Sequence, residues 1–113
     1  MKILDRNANV IYEIDKEELS RHTFNENFSS VLNLKNAVFD NLSLEGCFFT
    51  DTYLAGASFK NCDLYWSCFY ETDLENTDFT GADLSGCDFK NANLSGANLS
   101  NANFSFDNLG RAA

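Results

Sequence analysis

Residues 77–91 read Thr77-Asp78-Phe79-Thr80-Gly81, Ala82-Asp83-Leu84-Ser85-Gly86 and Cys87-Asp88-Phe89-Lys90-Asn91, three consecutive five-residue lines in one grammar. The grammar extends in both directions. The central apolar positions are Phe39, Leu44, Phe49, Leu54, Phe59, Leu64, Phe69, Leu74, Phe79, Leu84, Phe89, Leu94, Leu99, Phe104 and Leu109, fifteen consecutive slots holding only Phe or Leu. Two residues before each centre stands a mostly small residue (Ala37, Cys47, Thr52, Ala57 and onward), with Leu42 and Asp107 as exceptions near the ends. The position before the centre is Asp or Asn from Asp73 to Asn108, and Gly or Asn recurs two positions after it, as in Asn41, Gly46, Gly56 and Asn61. Neither a 3.6-residue helix nor a period-2 strand keeps a five-residue repeat on one face. A short extended pair followed by a turn does, with Gly and Asn supplying the positive φ that the turn requires. The chain has no proline, as continuous strand stacking demands.

The pattern, purest in Ala82-Asp83-Leu84-Ser85-Gly86 and Ala97-Asn98-Leu99-Ser100-Asn101, resembles the pentapeptide-repeat proteins over about residues 32–111. The resemblance implies an all-β solenoid, a right-handed quadrilateral β-helix in which four pentapeptides make one square coil. In such a fold, residues 20 apart stack. Phe39, Phe59 and Phe79 then share one wall and Phe49, Phe69 and Phe89 the opposite one, with leucines between. About four coils are expected, roughly 19 Å at the spacing of stacked strands.

Residues 1–33 follow another pattern and are expected to form an N-terminal cap ahead of the repeat body at 34–113. Lys2-Ile3-Leu4 and Val10-Ile11-Tyr12-Glu13-Ile14 flank a polar turn and predict a β-hairpin. Phe24, Phe28, Val31 and Leu32 fall at helical spacing behind Thr23 as N-cap, predicting a short helix. Hairpin and helix together would cover the exposed rings and strand edges of the first coil.

Charge and composition exclude several functions. The net charge is −9, which speaks against direct nucleic-acid binding, since phosphate recognition needs clustered Lys and Arg. His22 is the only histidine, so no catalytic triad or multi-histidine metal site can be built. Its place beside Arg21 predicts solvent exposure. Cys47, Cys62 and Cys87 occupy the small inward slot and read as structural, while Cys68 should face outward; their spacing matches no zinc pattern. A repeat projecting its carboxylates from convex walls offers no cleft for acid–base chemistry. The expectation is therefore a protein that is not an enzyme, with no cofactor and no metal. Met1-Lys2-Ile3-Leu4 runs into Asp5 and Arg6 without a secretory pattern, and no apolar stretch is long enough for a bilayer. A cytoplasmic protein without membrane contact is expected, either a monomer or an end-to-end homodimer through Phe104 and Leu109.

Two surface features remain as candidates. Residues 1–36 hold five cations against six carboxylates, whereas residues 37–113 hold three against eleven, so the charge belongs to the repeat body. Asp63, Asp73, Asp78, Asp83 and Asp88 make an acidic girdle. It serves either to bond local backbone and keep the solenoid soluble or to imitate DNA. For the second, the resemblance extends to the quinolone-resistance pentapeptide proteins, which bind DNA gyrase as acidic rods. The other feature is aromatic. Phe48, Tyr53, Tyr65, Trp66 and Tyr70 stand where the repeat wants small or polar residues. Departures of this kind from a regular background point to function, here the docking of a protein partner of unknown identity.

Overall fold

A pentapeptide has room for about two extended residues before it must turn, so its strands are short. The computed structural model describes residues 1–26 and 30–105. Five strands are long enough to name: β1 (Lys2–Asp5), β2 (Val10–Glu13), β3 (Leu32–Asn33), β4 (Ala37–Val38) and β5 (Thr52–Tyr53). The remaining ladder consists of single parallel bridges, among them Val38–Ser58–Asp78–Asn98 and Ser43–Asp63–Asp83–Asn103, each joining residues 20 apart. β3 pairs with β5 in the same parallel register.

Each corner is a turn closed by one hydrogen bond, from the N–H of the small-slot residue to the carbonyl of the preceding centre, as in Ala57 N to Leu54 O at 2.9 Å. Positive φ falls at the third turn residue alone, the mark of a type II turn. That residue is the predicted Gly or Asn at Asn41, Gly46, Gly56, Asn61, Asn76, Gly81, Gly86, Asn91, Gly96 and Asn101. Asp51, Trp66 and Glu71 take the same backbone at their corners.

Inside, the alternation of Phe and Leu produces two ring stacks. Phe39, Phe59 and Phe79 lie parallel at centroid spacings of 4.7 and 5.2 Å. Phe49, Phe69 and Phe89 do the same at 4.9 and 5.2 Å. The stacks meet edge-to-face, with Phe69 at 86° to Phe59 and 84° to Phe79. These are the offset and T-shaped geometries favoured by the ring quadrupole. The small slot has a second use beyond its volume. At several positions where it holds Cys, Ser or Thr, the side chain donates to the carbonyl of a centre residue one coil earlier: Cys62 Sγ to Phe39 O at 2.9 Å, Ser67 Oγ to Leu44 O at 2.8 Å, Thr72 Oγ1 to Phe49 O at 3.1 Å. Burial pushes the Cys47 and Cys62 thiols up to about 12, so both stay protonated donors.

The hairpin is present: β1 pairs antiparallel with β2 and, on its other side, with β4 through Leu4–Val38 and Asp5–Ala37. Ile3 joins the buried core, and Tyr12 lies on Phe24 at 5.1 Å. The Arg6 guanidinium donates to Gly56 O at 2.8 Å.

The expected helix is corrected. No described residue is helical, and Phe28 lies outside the described residues. Thr23 instead bridges Phe48 in parallel, and Leu32 belongs to β3. Arg21 N donates to Glu45 O and Phe24 N to Phe48 O, while Phe48 N returns a bond to His22 O. Residues 17–26 thus run as two further pentapeptides, with Leu19 and Phe24 buried as centres and Arg21 at a positive-φ corner. Their register to the next coil is 25 rather than 20, because five extra residues lie between Phe24 and Leu34. The Asn25 amide donates to Ser30 O and Asp51 O. Phe24 prefers this arrangement because it heads the second ring stack, 4.6 Å above Phe49. A helix would forfeit both the stack and the ladder bonds.

Candidate functional site

The acidic residues come first, because their geometry is uniform. Each precedes a centre, and each Oδ1 accepts the backbone N–H two residues on: Asp63 from Tyr65 (3.1 Å), Asp73 from Glu75 (3.2 Å), Asp78 from Thr80 (2.9 Å), Asp83 from Ser85 (3.0 Å) and Asp88 from Lys90 (2.9 Å). Asn93, Asn98 and Asn103 make the same bond with the same atom. The slot therefore selects a short side chain with an oxygen at δ, and Asp and Asn meet that demand equally. For Asp78, burial raises the carboxyl pKa, but bonds from the Thr80 hydroxyl and N–H, together with the Lys60 charge, outweigh it and leave the group below its ordinary value. Asp63 stands directly over Asp83 in the ladder, so two like charges stack there.

The aromatic residues divide into two groups. Tyr65 and Trp66 meet edge-to-face, centroids 5.8 Å apart, and both are exposed, Trp66 at 59%. Phe48, also exposed, bridges Cys68, the residue midway between Trp66 and Tyr70. Tyr70 is partly covered, and Glu71, by hydrogen bond and by charge, raises its phenol pKa. Tyr65 and Trp66 make one corner, Phe48 stands on the wall after it, and Tyr70 opens the corner at the far end of that wall. Tyr53 is elsewhere: it pairs with Asn33 and Asp73 on the following wall.

Trp66 is the residue least explained by the repeat. It takes φ of 60° at a corner where the neighbouring coils carry Gly46 and Gly86. A bulky side chain in that region is an outlier, costing roughly 1–2 kcal/mol. Its ring lies over the next corner, where a Cβ on Gly86 would come within 2.9 Å of Trp66 Cδ2. Glycine at 86 is thus required twice, by its own turn and by the indole above it.

His22 was missed as a structural residue. It fills the small inward slot between Leu19 and Phe24, is 6% exposed, and lies edge-on to Phe24 at 4.7 Å. Its Nε2 and the Tyr12 hydroxyl share a hydrogen bond of 2.6 Å, which joins the hairpin to the ladder. The expected exposure is therefore corrected: an imidazole fits this slot because Tyr12 supplies its polar partner. Burial first, and then the Lys16 charge, lower its pKa below the ordinary 6.5, against a smaller opposing pull from Glu26. The folded state thus disfavours the imidazolium. Stability is fully present above pH 6.5 and is lost as pH falls through 6.5 towards the lower folded pKa. With a single histidine in the chain, the urea midpoint should fall between pH 7.5 and pH 5 in the parent and stay nearly level over that range in His22→Gln.

Among the described residues no cluster of His, Cys, Asp and Glu is arranged to hold a metal, and no helix is long and apolar enough to cross a membrane. No disulfide joins the four cysteines.

The comparisons agree with this geometry. The family model described as pentapeptide repeats (8 copies) matches twice, over residues 33–69 and 67–105. Among solved structures, a pentapeptide repeat protein from the thylakoid lumen of Arabidopsis thaliana is similar at 31% identity and a TM-score of 0.73, covering 81% of this chain and 61% of that one. HetL, a pentapeptide repeat protein involved in heterocyst differentiation regulation in the cyanobacterium Nostoc, is similar in fold at 22% identity and a TM-score of 0.55, covering 71% of this chain and 39% of that one. The chain spans less than two thirds of either protein. No curated protein matches it. On the repeat model and the ladder together, the chain belongs to the pentapeptide-repeat family, whose members fold as right-handed β-helices.

Proposed function

We propose that the protein is a non-catalytic interaction module: a quadrilateral β-helix of about four coils, closed at its N-terminal end by residues 1–33, that docks a protein partner on the corner built by Phe48, Tyr65, Trp66 and Tyr70. The observation carrying this is Trp66, exposed and in a left-handed backbone that its own coil would fill better with Gly or Asn. Strain retained at an exposed aromatic points to use, because Gly or Asn would make the same turn without it. On this reading the module works in the cytoplasm without cofactor, metal, membrane or direct nucleic-acid contact, as a monomer or an end-to-end homodimer. The test is Trp66→Asn. Asparagine serves six corners in the described repeats from Asn36 onward, including Asn61 and Asn76, so stability should stay within about 1 kcal/mol of the parent. Partner recovered by crosslinking in the native host should drop at least about tenfold, the equivalent of one hot-spot residue. Unchanged recovery of the same partners would refute the docking corner.

The Asp63–Asp83 stack favours a second reading, in which the acidic body imitates DNA for a gyrase or topoisomerase. Supercoiling assays at micromolar protein test it directly, and the absence of any inhibition would dismiss it.

A further inference from the structure

The docking corner is ringed by carboxylates. Glu45 lies one coil above Tyr65, as the bond from Gly46 N to Tyr65 O places it. Asp63 accepts the Tyr65 N–H, Asp83 stacks beneath Asp63, Asp88 beneath Cys68, and Glu71 follows Tyr70. Against these five, the same corner and wall carry Arg21, at the head of the corner column, and Lys90. Among the described residues the only ion pair is Lys2–Glu13, far along the chain at the hairpin. None of the five carboxylates is thus in an ion pair with a described cation of the chain.

The indole and phenol stand at 86° to one another, and the indole, resting over Gly86, is still 59% open to solvent. A guanidinium is planar, weakly hydrated and always charged; it stacks on such faces and bonds carboxylates through its fork of donors. An ammonium group is compact and strongly hydrated, and gains less from the same surroundings. A purely apolar side chain would leave the carboxylate ring facing a neutral partner and gain nothing from it.

We infer that the occupant of this corner is an arginine-bearing extended segment of a protein partner, with one guanidinium stacked against Trp66 and Tyr65 and held by the surrounding carboxylates. This rests on the docking corner proposed above and names the chemistry of its partner.

The probe is a twelve-residue peptide with four arginines spaced by glycine and serine, compared with versions carrying lysine or neutral citrulline in their place. Trp66 is the only tryptophan, so its emission reports directly on the corner. The arginine peptide should shift that emission saturably, with affinity falling as salt rises from 20 to 300 mM. Lysine should bind about five- to tenfold more weakly, and citrulline should leave the emission unchanged. By calorimetry, Trp66→Asn and Glu71→Gln should each weaken the arginine peptide several-fold. Equal binding of the citrulline peptide, no binding of the arginine peptide, or an affinity indifferent to Trp66→Asn would each overturn the inference. The last result would leave only a general attraction to an acidic surface. Failure here combined with loss of the native partner in Trp66→Asn would leave the docking corner standing and remove only its arginine.

Discussion

Phe69→Ala should cost about 3–5 kcal/mol, a large share of the roughly 5–15 kcal/mol that holds a domain of this size folded. Phe69 is fully buried at the centre of the ring lattice. It stacks between Phe49 and Phe89 at 4.9 and 5.2 Å and takes the edges of Phe59 and Phe79 at 5.7 Å each. Removing it opens a cavity that the coils cannot collapse into, because their spacing is fixed by ladder hydrogen bonds on every wall. With a urea slope near 2 kcal/mol/M, the midpoint should fall by about 2 M. Phe104→Ala supplies the contrast. It removes the same side chain near the end of the array, where the ring is only partly buried, and should cost less than half as much. Equal losses at the two sites would mean that the ring lattice is not what stabilises the fold.

The acidic girdle yields the second large effect, through a comparison of two five-fold variants. Replacing Asp63, Asp73, Asp78, Asp83 and Asp88 with Asn removes five charges, taking the net charge from −9 to −4, but keeps every Oδ1 that accepts a turn N–H. Stability should be unchanged or slightly higher, since like charges such as Asp63 and Asp83 no longer stack. Replacing the same five with Ala keeps the charge change and deletes the acceptors. By analogy with helix caps, each lost local bond costs about 1 kcal/mol, so the sum of roughly 5 kcal/mol should unfold much of the population at 37 °C. Circular dichroism melts of the two variants separate the structural use of the aspartates from the electrostatic one. The folded Asn variant is then the reagent for the gyrase reading. If the parent inhibits supercoiling and the Asn variant does so equally, charge imitation is not the cause.

How much of this was legible in the sequence depends on whether the signal was local. The centre ladder from Phe39 onward and the positive-φ corners at Gly and Asn were readable, because a pentapeptide fixes its own turn and its own inward direction; the 20-residue stacking was what the family resemblance implied. The same phase in fact extends backwards: Leu34, Phe24 and Leu19 are in step with Phe39. It was obscured by the five extra residues before Leu34, which broke the run, and by His22 in a slot where small residues are the rule. The spacing of Phe24, Phe28, Val31 and Leu32 then imitated a helix. Val31, on the face that helix would have buried, is 65% exposed. With four repeats to a coil, Phe48 and Tyr70 fall on one wall and Tyr53 on the next, as the structure has them; the edge-to-face contact of Tyr65 with Trp66 and the indole lying over Gly86 were not legible, because they depend on side-chain conformation across coils.

The sequence by itself determined the repeat: which side chains point inward and where the backbone turns, while the meeting of residues 20 apart followed from the resemblance to the pentapeptide-repeat proteins. It could do so because every one of those choices is made within five residues and then copied. Only the tertiary structure decided how the first coil is closed. There the partners are Tyr12 with His22, Arg6 with Gly56 and Phe24 with Phe49, contacts between segments that share no period. Tertiary structure also showed that each aspartate of the girdle is committed first to its own turn, since an aspartate in a sequence shows its charge but not the N–H that its oxygen has already accepted.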